Sequence, residues 1–88
     1  MASVKNLKKD INYTLGDIIE ECYVWELLHP KEDSKKSEAI IDEAIETFDA
    51  LLAKVNAKDI DNKKAHYKEI SEELESKATA LVDKVNAL

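Results

Sequence analysis

Leu7-Lys8-Lys9-Asp10-Ile11-Asn12-Tyr13-Thr14-Leu15-Gly16-Asp17-Ile18-Ile19-Glu20-Glu21-Cys22-Tyr23-Val24-Trp25 is the stretch whose reading decides the fold. Leu7, Ile11, Leu15, Ile18, Cys22 and Trp25, with Val4 before them, recur in steps of three and four. Such steps keep side chains on one side of an α-helix. Pro30 closes the stretch, because the residue before a proline avoids helical geometry. His29-Pro30-Lys31-Glu32-Asp33-Ser34 therefore reads as a loop.

Beyond the loop the same period returns. Ile41, Ile45, Phe48, Leu52 and Val55 form a second stripe, flanked by Ile40, Ala44 and Leu51. Ile60, Tyr67, Leu74, Leu81 and Leu88 form a third at seven-residue spacing, with Ile70, Ala78, Val82 and Val85 beside them. Asn56-Ala57-Lys58-Asp59-Ile60-Asp61 separates the two. Helices are expected over about 3–29, 34–57 and 60–87. Ser3 is the candidate cap of the first, Asp33, Ser34 or Ser37 of the second, and Asp59 or Asp61 of the third. Short connections favour antiparallel neighbours, so the expected fold is an all-α, three-helix, up-down-up antiparallel bundle in one domain, 1–88, assembling into a larger helical oligomer.

Composition agrees. The chain of 88 residues holds one Gly and one Pro, too few for the turns of a β-protein. Charged residues at 36 % against hydrophobic residues at 44 % suit amphipathic helices rather than disorder. A single cysteine, Cys22, allows no internal disulfide. No apolar leader or membrane-length run occurs, so a cytoplasmic protein with no membrane partner is expected. A net charge of -6 opposes binding to nucleic-acid phosphates.

The first helix has a second seam. Tyr13, Gly16, Glu20, Tyr23 and Leu27, with Val24 alongside, again alternate three and four. At ~100° per residue this seam lies ~160° from the first. A three-helix bundle needs no apolar face there. The corresponding backs of the other helices are polar: Asp42, Glu43, Glu46, Ala50, Ala53 and Lys54 on the second, and Glu69, Glu72, Ser76, Thr79 and Asp83 on the third. Gly16 within a helix costs about 1 kcal/mol relative to alanine, and tyrosine is favoured at protein interfaces. These residues are read as an interface for a homodimer or larger homo-oligomer, or for an unidentified protein partner.

Two other arrangements carry chemistry. Glu26-Leu27-Leu28-His29 has the Glu-x-x-His spacing of di-iron bundles, which require a second such pair that only a dimer could supply here. Otherwise His29 suits the end of the first helix, near its negative pole. Lys5, Lys8, Lys9, Lys63 and Lys64 cluster towards one end of an up-down-up bundle. With Lys54, Lys58 and Lys68 they make eight lysines against Asp10, Asp59 and Asp61. Two helix N-termini among them form a weak candidate anion site, so the chain reads alternatively as an adaptor binding an acidic partner or anion there. Cys22 falls on the apolar stripe and reads as a small hydrophobe. His66 stands without an identifiable partner and reads as a surface histidine. No phosphate loop, nucleophile motif or EF-hand pattern occurs, and no cofactor, resident metal or catalytic residue is expected. The protein reads as a non-enzymatic interaction or assembly module.

Val4-Lys5-Asn6-Leu7-Lys8-Lys9-Asp10-Ile11-Asn12-Tyr13, continuing to Gly16-Asp17-Ile18-Ile19-Glu20, resembles the start of some small uncharacterised bacterial helical proteins. That resemblance implies no activity and no catalytic residues.

Overall fold

The computed structural model describes residues 4–58 and 60–88, and for Val4 the backbone alone. Three helices occur in the order α1 (Val4–Leu28), α2 (Lys35–Val55) and α3 (Lys63–Asn86), with no strand among the described residues. They pack side by side as a rod of 51 × 19 × 18 Å.

Cross-helix contacts fix the directions. Ser37, early in α2, donates through its hydroxyl to the carbonyl of Cys22, late in α1, at 3.3 Å. Lys84, late in α3, meets Glu43, and Lys54, late in α2, meets Glu73, each at 2.5 Å. α2 therefore runs against both neighbours, and α1 and α3 run parallel.

The core is a single cluster. α1 contributes Leu7, Ile11, Leu15, Ile18 and Cys22, as its stripe predicts. Trp25 extends the stripe but lies only half-buried at the bundle's edge. The stripes of α2 and α3 are turned relative to the expected ones. Ile40, Ile41, Ala44, Leu51 and Val55 are buried from α2, whereas Ile45 is 46 % exposed. α3 buries Ile70, Leu74, Ala78 and Leu81, whereas Val82 is 43 % exposed. Ala44 and Ala78 let the helices approach closely, which brings their positions inward and swings the bulkier neighbours outward.

Local chemistry sets the helix ends. Ser34 is the residue before α2, but its hydroxyl binds the Glu38 carboxylate at 3.2 Å rather than a backbone N–H. Asp33 takes over that task, accepting from the Lys35 N–H at 2.9 Å. Ser37 is no cap: it is fully buried between α1 and α2. The cap of α3 is Asn62, which accepts from the Ala65 N–H at 3.2 Å, so neither Asp61 nor Ile60 begins the helix. Ile60 instead lies half-buried in the connection before it. Ser3 and Asp59 lie outside the described residues.

His66 is not a bare surface histidine. It is half-buried, and its Nε2–H donates to the carbonyl of Lys54 at 2.6 Å. The Lys54 carbonyl, at the end of α2, also accepts from the Ala57 N–H at 3.3 Å, and the imidazole bond clasps the start of α3 to it. The expectation that Glu43 and Lys54 lie on the polar back of the second helix also changes. Both belong to the α2–α3 seam, through their ion pairs, rather than to an outer back.

Candidate functional site

The inward stripe of α1 fixes what lies on its outside. With Leu7, Ile11, Leu15, Ile18 and Cys22 directed into the bundle, Tyr13, Gly16, Glu20, Tyr23, Val24 and Leu27 must face away, and all six are exposed. Leu27 is 79 % exposed, Tyr13 63 % and Tyr23 57 %. The loop after α1 does not fold back over Leu27, and Leu28 beside it is exposed too. A methyl group placed on Gly16 meets nothing within 4 Å. Packing inside this chain therefore gives no reason for the glycine, whose cost in a helix is about 1 kcal/mol.

The lysine-rich pole is present. α1 and α3 begin at the same end, and Lys5, Lys8, Lys9, Lys63 and Lys64 are all exposed. Two details reduce its fitness for an anion. The Ala65 N–H of α3 is already taken by Asn62, and Lys54 is paired with Glu73. Lys9, moreover, sits on the outer face of α1, in line with Gly16 and Leu27.

His29 ends α1 as its position suggests. Its Nδ1–H donates to the carbonyl of Trp25 at 2.8 Å, and its ring stacks on the indole with centroids 4.7 Å apart. Its Nε2 lies 3.8 Å from a carboxylate oxygen of Glu32. Among the described residues, no three His, Cys, Asp or Glu side chains gather to hold a metal ion, so Glu26 and His29 have no further ligand from their own chain. Cys22 is buried, and burial pushes its thiol above the usual value of 9.0, helped by Glu26 and Glu21 and opposed by the Ser37 hydroxyl. The protonated thiol behaves as part of the core.

A groove runs between α1 and α3. One part, about 400 Å³, has Ile18, Ala78, Val82 and Val85 as its apolar lining, with Asp17 and Glu21 at its side. An adjoining part shares Thr14, Ala78 and Val82 with it and adds Asp10, Glu75 and Asp83. These five carboxylates face the groove with no lysine or histidine among its lining residues. The α2–α3 seam differs in charge, being crossed by the Lys54–Glu73 and Lys84–Glu43 ion pairs.

The outer face of α1 is thus the largest departure from an ordinary solvated helix. No helix among the described residues is long and apolar enough to cross a membrane. No protein-family model, curated protein or solved structure matches the chain.

Proposed function

We propose that this protein is a non-enzymatic interaction or assembly module that self-associates through the outer face of α1. The observation that carries this reading is the open row of Tyr13, Gly16, Tyr23, Val24 and Leu27 on the side of α1 turned from the core. Burying apolar surface stabilises by roughly 25 cal/mol per Å², and tyrosines hold a wet hydroxyl while their rings pack. A missing side chain at Gly16 lets a second backbone come close. The face is one helix wide, so the contact belongs to the small class, below about 1,200 Å², and the association is reversible.

Light scattering coupled to size exclusion, over a range of concentrations, tests this. The wild-type chain should gain mass as concentration rises. Gly16→Leu and Val24→Glu should each weaken that association, with helicity by circular dichroism unchanged. A monomer at every concentration, or association in both variants unchanged from wild type, would refute the proposal.

A further inference from the structure

We infer that the groove between α1 and α3 docks a helix of a partner protein, apolar on its inner face and carrying lysine or arginine along both flanks. This surface is distinct from the outer face of α1, and the inference stands apart from self-association.

The groove has the shape of a helix seat. It follows α1 from Asp10 to Glu21 and the parallel α3 from Ser71 to Asn86. At ~1.5 Å per residue these stretches measure ~17 and ~22 Å, the length of a helix of about three to four turns. Its floor is apolar. Ile18, Leu74 and Ala78 lie buried beneath it, Val85 is half-buried and Val82 is exposed. Both inter-helix ion pairs among the described residues cross the α2–α3 seam, so neither bridges this groove.

Its walls carry one sign of charge. Asp10, Asp17 and Glu21 stand along α1, and Glu75 and Asp83 along α3, all exposed. None of the five joins an ion pair among the described residues. α3 sorts its charges by side. Lys84 turns to Glu43 of α2 and Lys77 lines the α2 side, whereas Glu75 and Asp83 line the α1 side. Asp17 and Glu21 are four residues apart on one helix, where like charges repel. A cation held beside them relieves that repulsion.

The charge on the walls selects the occupant. An acidic helix is repelled from both sides. A wholly apolar helix takes water from the carboxylates and gives them no partner, which is costly. A helix with a narrow apolar stripe between two basic flanks meets both demands. Its stripe covers Val82 and Val85, and its lysines or arginines lay their stems on apolar surface while their heads reach the carboxylates. The spacing matches as well. Asp10, Thr14, Asp17 and Glu21 recur in steps of four, three and four, the repeat at which a packed helix presents its own flanking residues. This is recognition of an amphipathic helix in a groove, and the occupant takes the fourth place of a four-helix bundle.

Fluorescence anisotropy with three labelled synthetic peptides of about four turns tests the inference. The first has leucine along one stripe and lysine on both flanks, the second has glutamate in place of lysine, and the third has serine in place of leucine. The first should bind with a Kd on the order of 10 μM, as suits a small contact, and the other two at least about tenfold more weakly. Raising NaCl from about 0.05 to about 0.5 M should weaken the first by screening. The pair Asp17→Asn and Glu21→Gln should weaken it roughly tenfold, and so should Glu75→Gln with Asp83→Asn. Val82→Ser should weaken it about fivefold through lost apolar contact. Asp42→Asn with Asp49→Asn removes the same charge from exposed positions on α2 and should leave affinity within about twofold. All these positions are exposed, and circular dichroism checks that the fold persists. Failure of the first peptide to bind would overturn the inference. Equal binding of the serine peptide would overturn it too, as would equal weakening by the α2 pair, because charge alone would then account for the attraction. Self-association through the outer face of α1 is left untouched by any of these outcomes.

Discussion

The two faces of α1 differ in what explains them. Inside, Leu7, Ile11, Leu15, Ile18 and Cys22 are aliphatic or small and lie buried against α2 and α3. Outside, Tyr13, Tyr23, Val24 and Leu27 are as apolar in bulk but remain in contact with water. The inner face is fully explained by folding, because covering it supplies the stability of a small domain. The outer face gains nothing from folding, and its glycine makes the helix worse. The self-association proposed above would give that pattern a use after folding.

Mutation can break this contrast or sharpen it. The largest effect belongs to the inner face: Ile11→Ala should lower unfolding stability by about 2–5 kcal/mol in urea denaturation, through lost burial and the cavity left behind. On the outer face Gly16→Ala should do the opposite. At concentrations low enough to keep the chain monomeric it should raise stability by about 0.5–1 kcal/mol, since the added methyl has open space around it. The midpoint of thermal unfolding should rise by several degrees, about 4–8 °C per kcal/mol in a domain of this size. The smallest effect is expected at Leu27→Ser, within about 0.5 kcal/mol for the monomer. A large loss at Leu27, or a loss at Gly16→Ala, would mean that the outer face takes part in folding after all.

The sequence carries the helix number, the breaks and the inner stripe of α1 from Leu7 to Cys22. It does so because Pro30 and the Asn/Asp-rich connection interrupt three stretches whose apolar period is unambiguous. The stripes of α2 and α3 are harder, because apolar residues stand next to one another in Ile40-Ile41, Ala44-Ile45, Leu51-Leu52 and Leu81-Val82. Neighbours on a helix differ by ~100°, so either could be inside, and only the positions of the other helices decide. Ala44 and Ala78 won central places through small size, a packing effect that hydrophobicity alone does not reveal. His66 was illegible for another reason. Its partner is a backbone carbonyl on a different helix, and every residue has one. Asn62 was legible in principle, since asparagine is among the best caps. The aspartates beside it, Asp59 and Asp61, offered the same chemistry at neighbouring positions. The outer face of α1 was visible in the spacing, and the structure adds that the loop leaves it open.

The ion pairs of the α2–α3 seam have a consequence for alignment. Lys54 lies eleven residues beyond Glu43 in α2, and Glu73 lies eleven residues before Lys84 in α3. The two bonds are therefore marks on parallel rulers, matched at both ends. If α3 slid by about one turn so that Lys77 took the place of Glu73, Lys54 would face another lysine, while Glu43 would lose Lys84. Exposed pairs of this kind stabilise by only about 0.2–1 kcal/mol each, yet here a slip in that direction forfeits both and adds a repulsion. Their value lies less in holding the helices together than in telling them where to stop.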